Sequence, residues 1–366
     1  TRDNPAPRSG LRLGKRVLDL GTRGFPARMK DLLAEGPTAL DRARQILEEW
    51  QRSPSGLPSL DEKDVVYLPP VPDADKFLCV GKNYRTHLEE LRRNDLLAET
   101  PQEPTAFVKL NSCLVGHDAR VARPEGIVRL DYEPELVFVI GRRALGATKK
   151  NAFDYVAGVT ILNDLTDRDS QKREVASGSR FWTGKNIPGF GPLGPEIVTL
   201  DEIRDPYDLW MTCAVNGEER MRVNTRDQIW KLPEILEHFS RFIPIEPGDM
   251  FSTGAPGGVA VGKPNAEALF LKPGDVVECS IEGVATLRTH IVAIHAGERV
   301  ARSGSAPAVS PTPRSATARR KSLRAVRPPR VVTSRRSARG RTPGRTWAGS
   351  ARCRTRRTPS RTGPRS

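Results

Sequence analysis

The chain has 366 residues, enough for a sizeable core and for two domains. Its formal charge of +15 is unevenly spread: residues 301–366 hold 19 Lys or Arg and no Asp or Glu, whereas residues 1–300 hold 40 basic against 44 acidic side chains. The body is therefore a slightly acidic globular protein, the basic character belongs to the tail, and no apolar run reaches the ~18–20 residues of a membrane-spanning helix.

In chain order, residues 1–10 are expected to be disordered. Residues 11–20 read as strand material broken at Gly14. Residues 39–50 read as a helix with Leu40, Ala43, Ile46, Leu47 and Trp50 on one stripe, and Thr38 with Asp41 resembles a capping box. These make a small N-terminal α/β unit, residues 1–72, closed by the linker Leu68-Pro69-Pro70-Val71-Pro72. The main domain, residues 73–300, opens with a strand at 75–80. A helix over 83–93 follows and puts His87 and Glu90 at i and i+3 on one face. That spacing suits either a surface pair or a working pair. The polar run 94–103 reads as a lid, and 104–110 as a strand that includes Lys109.

The stretch Leu130-Asp131-Tyr132-Glu133-Pro134-Glu135-Leu136-Val137-Phe138-Val139-Ile140-Gly141 reads as one strand. Asp131, Glu133 and Glu135 share a face, while Leu136, Phe138 and Ile140 point into a core. Pro134 cannot donate to a ladder, which implies an edge or a bulge there. The acidic face is either solvated or holds a cation. A second apolar strand, 155–163, ends at Asn163-Asp164. A carboxylate at the end of an apolar strand needs a partner. Glu133, Glu135 and Asp164 would form an all-oxygen site suited to Mg²⁺, Mn²⁺ or Ca²⁺ rather than Zn²⁺.

Residues 169–176 read as a helix with Gln171 facing either the site or solvent, and Lys185 falls in a Pro/Gly-rich loop at 184–194. A hairpin with a type I′ turn at Asn216-Gly217 follows. A helix over 233–242 comes next, with Leu232, Ile235, Leu236, Phe239 and Phe242 on its core face and His238 off it. Two Pro-Gly-Asp turns, at 247–249 and 273–275, each introduce a strand. Gly254, Gly257 and Gly258 let backbone approach a ligand, although no phosphate-loop lysine accompanies them. His290 and His295 read as structural or exposed. The tail 301–366 cannot bury a core and is expected to be disordered. Its 18 arginines fit a real basic tail that binds nucleic acid nonspecifically, or GC-rich codons read out of frame. The five cysteines, Cys79, Cys113, Cys213, Cys279 and Cys353, are odd in number and without paired spacing. They fit a reducing, cytoplasmic setting. No apolar leader is visible, and a start at Thr1 suggests a truncated or processed beginning.

Five segments, in order from about residue 75 to about 292, resemble the fumarylacetoacetate hydrolase family. Asp131-Tyr132-Glu133-Pro134-Glu135-Leu136 is similar to its metal-binding E-x-E strand, and Asn163-Asp164-Leu165-Thr166-Asp167-Arg168-Asp169 to its second metal segment. Cys79-Val80-Gly81-Lys82-Asn83-Tyr84-Arg85-Thr86-His87-Leu88-Glu89-Glu90 resembles its entry segment. Phe181-Trp182-Thr183-Gly184-Lys185-Asn186 resembles its lysine segment, and Ser252-Thr253-Gly254-Ala255-Pro256-Gly257-Gly258-Val259 its glycine loop. Asn186 stands where Ser is usual and Ala255 where Thr is usual, which bears on substrate preference. The resemblance implies a β-rich α+β fold, a roll of antiparallel and mixed sheets, in a homodimer. It implies one Mg²⁺ or Mn²⁺ on Glu133, Glu135 and Asp164, binding a 2-oxo acid substrate. His87 assisted by Glu90 would activate water. Lys185 and Gln171 would stabilise an oxyanion, and Thr253 with the Gly257-Gly258 backbone would grip the substrate's acid end. The activity expected first is C–C hydrolysis of an acylpyruvate or related 1,3-diketo acid. Decarboxylation, tautomerisation or isomerisation, and hydration of a 2-oxo acid share the same metal-bound enolate. A protein that associates with nucleic acid through its tail is the alternative of another class.

Overall fold

The computed structural model describes residues 1, 5–54, 56–93, 101–179 and 181–293. Most of the expected lid, together with His295, Cys353 and the tail, lies outside the described residues. The chain opens with a hairpin, β1 (Gly10–Leu13) and β2 (Arg16–Asp19), turned at Gly14. Residues just before it are held rather than free: Ser9 is buried and its hydroxyl donates to the Pro26 carbonyl at 2.7 Å. Helices α1 (Met29–Ala34) and α2 (Pro37–Arg52) follow. The expected capping box is absent. Pro37, with its φ preset for a helix, starts α2 early on Gly36, so Thr38 falls inside the first turn. Ala39, Ala43 and Trp50 are buried, and Leu40, Ile46 and Leu47 pack beside them, as the stripe requires.

After β3 (Leu60–Asp61) come β4 (Phe77–Gly81), α3 (Arg85–Arg93), β5 (Thr105–Val108), β6 (Leu114–Val115) and β7 (Ala119–Arg123). The acidic stretch is two strands, not one: β8 (Leu130–Asp131) and β9 (Pro134–Ile140). Next are β10 (Val156–Asn163), β11 (Thr166–Asp167), α4 (Arg168–Ala176), α5 (Trp182–Asn186) and β12 (Gly191–Thr199). The predicted hairpin is β13 (Trp210–Val215) and β14 (Glu218–Asn224), with Asn216 and Gly217 both at positive φ, as a type I′ turn demands. Helix α6 (Leu232–Ser240) stops before Phe242, which is 82 % exposed and not part of the core. Ser240 ends the helix by accepting from Gly146 N–H and Ala147 N–H. Strand β15 (Met250–Ser252), a short α7 (Ala266–Leu269), β16 (Val276–Ile281) and β17 (Ala285–Ala293) complete the described chain.

Two sheets carry the fold, a seven-stranded one in the order β5-β4-β15-β9-β10-β12-β6 and a five-stranded one in the order β14-β13-β16-β17-β7. Both mix parallel and antiparallel pairs, giving the β-rich α+β class that the resemblance implied. Leu136, Phe138 and Ile140 of β9 pack in one core with Met211, Cys213, Val277 and Leu287 of the other sheet. Val137 and Val139, on the opposite face, join Phe77, Cys79 and Met250 in a second core, which Leu33 and Val71 cover. Strand β9 is thus central and buried on both faces. Pro134 does not mark an edge. It opens the strand opposite Asn163, at the position where a missing N–H costs least.

Candidate metal centre and active site

The break between β8 and β9 builds the site. The Asp131 carboxylate accepts from the N–H groups of Tyr132, Ala260 and Val261, each at 2.9 Å, and pairs with Arg168. Its demand is met there, so Asp131 organises the turn and does not join the other acids. The chain then swings Glu133 onto the end of β10. Glu133 N–H donates to Asn163 Oδ1 at 3.0 Å, and Asp164 N–H donates to the Glu133 carbonyl at 2.8 Å. Register places Leu162 opposite Glu135. Two chain segments therefore bring Glu133, Glu135 and Asp164 together, buried, with one oxygen from each within 4.8 Å of the others. Oxygens on opposite sides of an ion coordinated at about 2.1 Å stand about 4.2 Å apart, so small side-chain shifts would close this set on Mg²⁺ or Mn²⁺.

Basic side chains meet part of that charge. Lys185 sits in the helix α5, not in a loop. Its ammonium donates to Glu133, to Asp164 and to Thr166 Oγ1, the last at 2.9 Å. Arg168 pairs with Glu133 at 2.6 Å. Lys109 is entirely buried and spends its three donors on Asp164 Oδ1 at 2.7 Å and on the carbonyls of Phe190 and Lys185. Burial alone would raise the Glu133 carboxyl, but Arg168 and Lys185 outweigh it and pull Glu133 down to about 2. Glu135 goes the other way. Burial first, and then Asp164, push its carboxyl well above the usual range. Among the described residues no basic side chain pairs with it. A buried acid in that position calls for a proton or a cation, and a hard divalent ion fits the oxygen donors.

Helix α3 brings His87 Nδ1 to 3.5 Å from Glu90 Oε2, and both side chains are buried. The spacing is long for a hydrogen bond and suits a pair that tightens when substrate arrives. His87 is near enough to lower the Glu133 carboxyl. Glu90 is gripped by the glycine loop: Gly258 N–H donates to Oε1 at 2.7 Å, and a Cβ on Gly262 would lie 2.6 Å from the carboxylate. Gly257 N–H donates to Thr86 Oγ1. Both loop donors are engaged within the protein, on residues of the His–Glu helix. The Thr253 hydroxyl lies 3.2 Å from that of Tyr84, whose phenol burial raises. Gln171 reaches the carboxylates only through Arg168, which donates to its Oε1 at 2.9 Å. Asn186 is consumed by backbone on either side of Lys109, accepting from Leu110 N–H and donating to the Val108 carbonyl. Ala255 is buried, with 7 % exposure.

Sequence reasoning missed Arg168, Lys109 and Ser252. Arg168 lay inside the second acidic segment, four residues past Asp164. Lys109 was visible as a lysine in an apolar strand, a placement that needs a buried partner. Ser252, whose hydroxyl donates to Glu135 Oε2, gave no signal.

The model of the fumarylacetoacetate (FAA) hydrolase C-terminal family matches residues 76–292. A mitochondrial oxaloacetate tautomerase of Xenopus laevis is 35% identical over 294 residues, 79% of this chain and 88% of that protein. An oxaloacetate tautomerase of Bacillus subtilis is 36% identical over 284 residues, 76% of this chain and 90% of its own. Among solved structures, a fumarylacetoacetate hydrolase of Exiguobacterium antarcticum superposes with a TM-score of 0.65 at 32% identity, covering 78% of this chain and 95% of that one. No helix among the described residues is long and apolar enough to cross a membrane.

Proposed function

We propose that this chain, which belongs to the fumarylacetoacetate hydrolase family, is a divalent-metal-dependent tautomerase of a 2-oxo diacid of the oxaloacetate type. The observation that carries the chemistry is the buried triad Glu133, Glu135 and Asp164, with one carboxylate, Glu135, that pairs with no basic side chain among the described residues, beside the pair His87–Glu90. The oxaloacetate tautomerases of X. laevis and B. subtilis, aligned over most of their length, favour proton transfer over bond cleavage. They reorder the expectation from sequence, which put hydrolysis first.

Glu133, Glu135 and Asp164 would hold the ion, Mg²⁺ or Mn²⁺. When bound, the ion polarises the 2-oxo group and steadies the negative charge that forms on its oxygen. The chain's own residues move the proton. With Glu90 at Nδ1, Nε2 of His87 takes a proton from C3 of the keto form and, now protonated, hands that proton to the 2-oxygen to give the enol and recover the neutral imidazole; the reverse order returns the keto form. Lys185, buried and positively charged, stabilises the enolate oxygen electrostatically. Its ammonium is held protonated, since the pull of Asp164 and Glu133 outweighs the burial that would lower it. Thr253 follows β15 directly, its hydroxyl 3.2 Å from that of Tyr84.

C–C hydrolysis of an acylpyruvate is the second reading, favoured by the His87–Glu90 pair, which could activate water as readily as a C–H bond. One experiment separates them. Enol-to-keto conversion of oxaloacetate, followed by ultraviolet absorbance, is compared with pyruvate release from acylpyruvates at saturating Mg²⁺. Faster enol conversion with no cleavage supports the tautomerase. Rapid pyruvate release with uncatalysed enol decay would establish hydrolysis instead.

A further inference from the structure

The three carboxylates are not neutralised alike. Glu133 faces Lys185 and Arg168, and Asp164 faces Lys109 and Lys185. Glu135 has a hydroxyl in place of a cation: Ser252 donates to its Oε2. Neither side chain reaches solvent, Ser252 being 0 % and Glu135 2 % exposed, so water cannot replace that bond. Ser252 ends β15, and its backbone is locked on both sides, opposite Cys79 of β4 and Val137 of β9. Only its χ1 is left to vary. The hydroxyl is thus a donor on a strand paired on both edges, whereas Glu135 has three torsions that could carry its carboxylate elsewhere.

We propose that Ser252 is a positioning residue for the metal: it pins Oε2 of Glu135 and leaves Oε1 to face the ion. This rests on the reading of Glu133, Glu135 and Asp164 as ligands. Partners of this kind, bonded to a ligand and not to the metal, fix ligand orientation, and their loss typically weakens metal binding about 10–100-fold. Because Thr253 follows directly and leads into the loop that grips Glu90, Ser252 also ties the metal's position to that of the His87–Glu90 helix.

The test is direct Mn²⁺ binding, by electron paramagnetic resonance of the free ion, on full-length wild type, Ser252→Ala, Ser252→Cys and Glu135→Ala. Melting temperatures are recorded for each. Ser252→Ala should raise the Mn²⁺ Kd about 10–100-fold. Ser252→Cys, with a weaker donor of similar shape, should fall between it and wild type. Metal-saturated kcat should drop less than affinity does. Wild-type Mn²⁺ affinity in Ser252→Ala overturns the proposal while leaving the ligand set standing. So does a loss in Ser252→Cys as large as in Ser252→Ala. If Ser252→Ala does not fold, the Cys variant against wild type decides. Undiminished Mn²⁺ binding by Glu135→Ala, or none by wild type, brings down the ligand reading and this proposal with it.

Discussion

Two charge clusters in this molecule are built from similar residues and behave oppositely. At the ends of β9 and β10, Glu133, Glu135 and Asp164 meet Lys109, Arg168 and Lys185, all of them buried. Where β7 and β17 pair, Asp118 faces Arg288, His290 and His117, with side chains from 16 to 48 % exposed. Around Asp118, the Arg288 guanidinium meets the acid and water screens what remains. In the buried cluster Glu135 has no basic partner among the described residues and water cannot help. A buried acid left without a basic partner is the feature that separates a site from an ion-pair network.

Removing the ion should give the largest effect. Chelator-treated enzyme should lose about a thousandfold or more in turnover, because a bound divalent ion contributes several kcal/mol of charge stabilisation, and Mg²⁺ or Mn²⁺ should restore it. Glu135→Ala should show the same loss without rescue at ordinary metal concentrations. Full turnover in excess chelator, with no metal found by elemental analysis, would erase the distinction between the two clusters.

His87→Ala should come next, with kcat lower by about 10²–10⁴-fold and Mn²⁺ affinity kept, since the imidazole moves a proton and holds no ion. The check is steady-state kinetics beside direct metal binding. Wild-type turnover would show that His87 and Glu90 are only a structural pair.

The contrast between the clusters also shows what could be read from sequence. Glu133, Glu135 and Asp164 were legible through the family resemblance of their segments and because an apolar strand ending in Asp leaves few ways to satisfy that acid. The hairpin at Asn216-Gly217 was legible because its turn type demands those residues. What failed was whatever depends on distant partners. Alternation put Asp131 on the face of Glu133 and Glu135, yet backbone N–H groups at Ala260 and Val261 claim it. The helix around Lys185 is only five residues long and is fixed by contacts to α4 and β5, which local pattern does not encode. Phe242 continued a helical stripe on paper, but tertiary bonds to Ser240 ended the helix first.

Lys109→Met tests the buried cluster's own balance. It removes one charge and three donors, leaving Asp164 Oδ1 and two carbonyls without their partner. The expected cost is on the order of 3 kcal/mol in denaturant unfolding of chelator-treated protein. By contrast, Asp118→Asn should cost less than about 1 kcal/mol, as exposed ion pairs do. Equal losses would mean that burial is not what distinguishes the clusters.

The smallest effect lies in the exposed cluster and is one of pH. His117 is held below the ordinary histidine range, chiefly by burial, with Asp118 opposing and Arg288 adding to the shift. A bond supports that direction: Arg288 N–H donates to His117 Nδ1 at 3.1 Å, which requires that nitrogen to be unprotonated. Glu62 and His290 also face the ring electrostatically, and Tyr67 packs edge-on against it at 5.8 Å. Because the folded value is the lower one, the unfolded chain binds more protons in the window between the two. His117 therefore contributes stability in full above about pH 6.5, the ordinary histidine value, and loses it as pH falls through the folded value. His117→Asn keeps an acceptor where Nδ1 stands and removes the titration. The difference in unfolding free energy between wild type and this variant should shift against wild type by no more than about 1 kcal/mol between pH 7.5 and pH 5. A shift in favour of wild type over that range would mean that Asp118 dominates and the imidazole is charged in the fold.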